Sequence, residues 1–229
     1  MNITREELFN IPAGQDTDSY RGVSNKFLIE KVEEELDKKN IPILGYKYSC
    51  PGTLNQMFTT ITVGNNVDGV SMNLGITNSN NKSMRVGIAL GALVWACANL
   101  EISKFSALRK HTLNVYDDLD RLIGESLDSL EIEFQHILNT YARMKEIQLK
   151  APTIGRMLGE MFFNERILTS SHMNQIKENY YHSGRGNPGS LYDFNMSITD
   201  ALRDDHPYLI VGRHLKAREY LTTRLNDFQ

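Results

Sequence analysis

The chain has 229 residues, 41% of them hydrophobic and 23% charged, with a formal net charge of −3. This composition supports a sizeable core and excludes a disordered chain, and the small negative charge excludes a protein that coats nucleic acid by overall basicity. Any polyanion site is therefore a local patch on what reads, from length, as one compact domain with a helical appendage.

Residues 1–22 carry Pro12, Gly14 and Gly22 among polar side chains and read as an arm or loosely docked segment. The same stretch has acidic residues where a signal peptide needs a basic and then an apolar region. No apolar run reaches the roughly 20 residues of a membrane span. The expectation is a soluble intracellular protein without membrane contact. Cys50 and Cys97 are far apart, follow no metal or redox spacing, and read as free thiols.

Ser24 caps a helix running to about Lys39, with Phe27, Val32 and Leu36 on its apolar face and Pro42 stopping it. From Ile43 the period changes to the alternation of a sheet, punctuated by Pro51-Gly52, Gly64-Asn65-Asn66, Asp68-Gly69 and Asn78-Ser79-Asn80-Asn81. Strands are expected at 43–50, 56–63, 69–77 and 84–91, with a fifth at 93–98. The short connections between them predict an antiparallel meander.

Tyr116, Leu119, Ile123, Leu127, Leu130, Phe134, Ile137, Tyr141 and Met144 then recur at steps of three and four. This predicts one long helix from Thr112 to Leu149, with an acidic outer face that is either solvated or a coiled-coil contact with another copy. Shorter helices are expected at 153–164, 170–180, 190–204 and 207–225. The class is α+β: an antiparallel sheet of four to five short strands backed by one long helix, followed by a helical C-terminal part. The expected divisions are an arm (1–22), an α+β core (23–150) and a helical subregion packed on it (151–229).

The chemistry-bearing residues are sparse. No two of the six histidines lie within four residues of each other, so no metal site is expected. No strand–turn–helix G-x-S-x-G elbow is present, and Cys97 sits in an apolar run that would raise its pKa, so no catalytic residues and no cofactor are expected. The glycine-rich loop His182-Ser-Gly-Arg-Gly-Asn-Pro-Gly189 is either a connector or an anion-contacting loop in which Arg185 clamps phosphate.

The basic residues carry more. Lys82 and Arg85 open a strand, and Lys104, Arg109, Lys110 and His111 close the segment after it, with Glu101 the lone acid between Lys82 and Thr112. A second basic run contains Arg203, Arg213, His214, Lys216, Arg218 and Arg224. These either bind phosphates, with Trp95 and Phe105 close enough in sequence to stack bases, or balance the acidic helix within the protein. The positives at 109–111 precede a helix start, where the dipole favours an anion instead.

Five stretches, in order, resemble the phage/plasmid-like protein family of unknown function carried by bacteriophages, prophages and conjugative plasmids. They are Tyr20-Arg-Gly-Val-Ser24, Gly75-Ile-Thr-Asn-Ser79, Arg85 to Asn99, Leu108-Arg-Lys-His-Thr112 and Leu191-Tyr-Asp-Phe-Asn-Met-Ser-Ile-Thr199. The chain departs from that family where Asn80-Asn81-Lys82 replaces its His-Asp-Gly, and at Ala98 and Leu100.

The resemblance implies a mobile-element context in the cytoplasm of a bacterial host, often near replication and recombination genes. By analogy of fold it also implies side-by-side oligomers of the kind single-strand annealing proteins form.

The expected function is thus a non-enzymatic protein that binds single-stranded nucleic acid, for annealing or recombination, as a homo-oligomer. Its expected contacts are Lys82, Arg85, Lys104, Arg109, Lys110, His111, Arg185, Arg213 and Lys216. The alternative is a protein-interaction module, such as an inhibitor of a host defence protein or a phage assembly component.

Overall fold

The computed structural model describes residues 3–50, 54–94, 99–182 and 189–228. Five strands, β1 (Ile43–Ser49), β2 (Gln56–Val67), β3 (Val70–Ser79), β4 (Val86–Val94) and β5 (Asn99–Arg109), form an antiparallel sheet in the order β1-β2-β3-β4-β5. The α+β class and the meander are as the sequence implies. The fifth strand is not: β4 extends to Val94, residues 95–98 lie outside the described residues, and the next strand is 99–109. Sequence pattern hides β5 because its Leu-Glu-Ile-Ser-Lys-Phe run is broken by irregular register against β4, at Ile88/Ala89 and Leu90/Gly91.

Alternation assigns the two faces of the sheet. Met57, Ile61 and Val63 of β2, Leu74 and Ile76 of β3, and Ile88 and Leu90 of β4 share a core with Leu28, Ile29, Val32 and Leu36 of α2 (Asn25–Lys38). Ser24 caps α2 as expected, accepting a hydrogen bond from the Phe27 amide at 3.1 Å. The same core takes the apolar seam of the next two helices, α3 (Val115–Asp128) and α4 (Leu130–Glu146). On the opposite face, Phe58, Ala89 and Ile102 pack against Ile210 and Val211 of the last long helix.

The expected single helix over 112–149 is in fact this pair. Ser129 sits between them at φ −92°, ψ −3°, its hydroxyl bonded to the Ser126 carbonyl at 3.0 Å. The break lets both segments turn their apolar stripes onto one sheet, so the seam lies in the chain's own core rather than open to another copy. The helix start also moves: Asn114 is the N-cap, and no side chain caps that end.

The arm is not loose. It contains a short helix, α1 (Arg5–Phe9), closed by a capping box between Thr4 and Glu7. Beyond it, the Arg21 amide donates to the His111 carbonyl at 3.1 Å, and Tyr116 of α3 donates to the Gly22 carbonyl at 2.7 Å. The C-terminal helices are α5 (Ala151–Gly159), which runs on into a π-helical turn at Glu160–Asn164, then α6 (Ser170–His182), α7 (Leu191–Leu202) and α8 (Pro207–Thr223). They surround a second core centred on Phe194 of α7.

Candidate anion-binding pocket

At one end of the sheet, three chain segments meet: the β3–β4 turn, the connector after β5, and the arm at Ser19–Tyr20. They enclose a pocket of about 420 Å³ whose lining includes Lys82, Arg85 and Lys110 and no carboxylate. All three cations are exposed, and among the described residues none forms an ion pair.

The turn that presents Lys82 and Arg85 is fixed by short polar side chains. The Ser79 hydroxyl donates to the Met84 carbonyl and accepts from the Met84 amide, both at 2.9 Å. Gln56 reaches across from β2 to Ser83 at 2.7 Å, and Ser83 bonds Asn81. Lys82 itself takes a left-handed backbone conformation, φ +64°, which costs an L side chain about 1 kcal/mol.

The floor is aromatic but closed. Tyr20 and His111 stack with ring centroids 5.0 Å apart, and each is only 6% exposed. The Lys82 ammonium lies 4.7 Å from the Tyr20 ring centroid, in cation–π contact. Tyr20 donates to the Ser79 carbonyl at 3.4 Å. His111 Nδ1 lies 3.3 Å from the Arg21 carbonyl, which makes Nδ1 the protonated nitrogen and leaves Nε2 buried with no partner. Burial pushes the His111 pKa below the usual imidazole range, so the ring is neutral. Its role is to seat Tyr20 and the arm, which revises the expectation that it contacts a ligand as a cation.

The other expected contacts lie elsewhere. Arg109 pairs across the sheet with Val86, on the helix-covered face, and therefore reaches Asp118 of α3 at 3.3 Å. Lys104 meets Glu133 of α4 at 3.2 Å. Arg213 holds both oxygens of Asp205, at 2.7 and 2.8 Å. Lys216 is exposed on α8, outside the pocket lining, and Arg185 lies outside the described residues.

Of the rest of the C-terminal basic run, Arg203 pairs with Asp200, Arg224 with Glu160 and Arg218 with Glu101, while His214 is buried. The sequence admits both readings of its positives, and the structure divides them: Lys104, Arg109, Arg203, Arg213, Arg218 and Arg224 balance acids within the chain, whereas Lys82, Arg85, Lys110 and Lys216 form no ion pair among the described residues, and the first three share one pocket.

Ser19, Tyr20, Ser83, Met84 and Thr112 complete the lining and are not among the contacts the sequence points to. Tyr20 stands 91 positions from His111, and nothing in either stretch signals their stacking. The Tyr20-Arg-Gly-Val-Ser24 resemblance is the one available hint.

Comparison with protein-family models, with curated proteins and with solved structures finds no match for this chain. The site must be read from its own chemistry. Three unneutralised cations in a concavity without an acid attract a polyanion. Among the described residues, no cluster of three metal-ligating side chains occurs, and no helix is long and apolar enough to cross a membrane.

Proposed function

We propose that the protein binds single-stranded nucleic acid, without catalysing a reaction, through the pocket of Lys82, Arg85 and Lys110. The observation that carries this reading is selective neutralisation. Lys104, Arg109 and Arg213 are occupied by Glu133, Asp118 and Asp205, whereas these three cations converge and are left without an acid. Annealing or recombination in a mobile genetic element, by several copies along one strand, is the role that the sequence resemblance favours.

The rival, a protein-interaction module using the acidic helices, is less well supported. Their apolar stripe is buried, and Asp118, Asp120, Asp128 and Glu133 face cations of the same chain.

Fluorescence anisotropy with a labelled 12-nucleotide strand at 50 mM salt tests the proposal. Binding that falls at least tenfold when Lys82, Arg85 and Lys110 are all changed to alanine supports it. No binding by the unaltered protein, or binding indifferent to the triple change, rejects it.

A further inference from the structure

Resting on that reading, we infer that the pocket recognises the phosphate chain alone and is blind to the bases. A groove that reads single strands combines cations with aromatic faces on which bases stack, and each stacked base contributes substantially to affinity. Here the cations are present and the open faces are not.

Tyr20 and His111 are the aromatic residues of the lining, and they stack on each other. Tyr20 is further covered by the Lys82 ammonium, and both rings are more than nine-tenths buried. Their polar atoms are spent or hidden as well, with the Tyr20 hydroxyl on the Ser79 carbonyl and His111 Nδ1 on the Arg21 carbonyl.

What remains accessible is three cationic side chains together with the exposed Ser19, Ser83 and Thr112 and the half-buried Met84, which has no aromatic face. Ammonium, guanidinium and hydroxyl groups of this kind donate to phosphate oxygens, contacts that carry no sequence information. Phe105, the other described aromatic expected near the basic patch, instead packs beneath α8 with Ile102 and Leu215.

The neighbouring groove does not supply base contacts to the same site. It adjoins through Gly14 and Asn80, contributes Glu7, and has no cation in its lining. A carboxylate there repels a strand whose phosphates sit on Lys82 and Arg85.

The ligand class is therefore a flexible chain of phosphates, and the sugar and base are carried passively. Three probes separate the possibilities by anisotropy competition at 50 mM salt: a twelve-residue thymidine strand, a twelve-residue abasic phosphodiester strand, and inorganic polyphosphate. The expected result is abasic and thymidine affinities within about threefold, with polyphosphate displacing both.

An abasic strand that binds tenfold or more weakly than thymidine overturns base-blindness while leaving the nucleic-acid reading intact. Polyphosphate that fails to displace either strand overturns recognition by phosphate alone. If none of the three binds, the underlying reading of the site fails with it.

Discussion

Arg218 of α8 forms an ion pair with Glu101 of β5, 117 positions away, and both side chains are almost wholly buried. Asn195 of α7 donates to the second Glu101 oxygen at 2.8 Å, so one carboxylate joins the sheet to two C-terminal helices. Removing one member leaves the other charged in a medium that solvates it poorly, which costs about 3–5 kcal/mol. Arg218→Met is expected to lower the urea midpoint accordingly. Adding Glu101→Gln to that variant should cost less than the sum of the two single changes. Strict additivity of the pair would show that the two side chains do not act together.

A second expectation concerns acid. His214 of α8 is fully buried, neither ring nitrogen has a partner, and burial depresses its pKa to about 4 despite the favourable charges of Glu101 and Asp205. An unfolded histidine titrates near 6.5. Between these values the unfolded chain holds the extra proton, so stability is full above pH 6.5 and is lost progressively as pH falls towards 4. The shift corresponds to about 3 kcal/mol. His111, also depressed, adds in the same direction. The carboxyls of Asp205 and Glu133, held below their ordinary values by their basic and hydrogen-bonding partners, also stabilise the fold at neutral pH, and that stability is lost only as the pH falls through the acid range of carboxyl titration. Urea midpoints at pH 7.5 and 4.5 should therefore differ strongly, and His214→Leu should shrink the difference. A wild-type midpoint that does not move across this range contradicts the assignment.

How much of this was legible beforehand depends on whether the signal is local. Helix α2 is announced by Ser24 and an apolar face, and β1 to β4 by alternation and turn residues, all within windows of ten to fifteen positions. The break at Ser129 is not local. A heptad-like pattern passes through it, and only the packing of both segments into one core with the sheet decides it. Helix α7 illustrates the same limit, since Asp193, Asn195, Thr199 and Asp200 are polar in sequence but are buried where α7 packs against α4, α6, α8 and β5. The pocket is half legible: Lys82, Arg85, Lys110 and His111 stand out in the sequence, but which cations keep an acid neighbour is a property of the folded chain. Charge pairing between β5 and α3 or α4 joins residues that sequence order separates.

That division of charge yields a quantitative expectation. Single strands lose affinity with salt at a log–log slope of about −0.7 per phosphate neutralised, so three free cations predict a slope of about −2 per bound protein. Engagement of all nine contacts that the sequence points to would give about −6. Lys104→Ala, Arg109→Ala and Arg213→Ala should each leave affinity within about twofold, because each removes a cation already balanced by a nearby acid. Lys82→Ala, Arg85→Ala and Lys110→Ala should each weaken binding and make the slope shallower by about 0.7. Equal losses across the two groups would remove the basis for treating them differently.

The arm gives the last expectation, and it concerns Gly22. A methyl group built there would lie 1.9 Å from the Gly14 carbonyl oxygen, a backbone atom that cannot step aside. The close approach is held by Asp16, which accepts from the Gly22 amide at 2.8 Å and pairs with Arg21. Arg21 in turn binds the backbone of His111 through its amide, and its carbonyl receives the imidazole. Gly22→Ala therefore spreads the loop and loosens the seat of Tyr20 against His111. Overpacking of this kind costs about 1–3 kcal/mol, little enough that most of the protein stays folded. Amide exchange should accelerate at residues 14–22 and 110–112 while the β2–β3 ladder stays protected. Oligonucleotide affinity should fall several-fold, because Lys82 rests on Tyr20 and Lys110 adjoins His111. Accelerated exchange with unchanged affinity would separate the arm from the binding site.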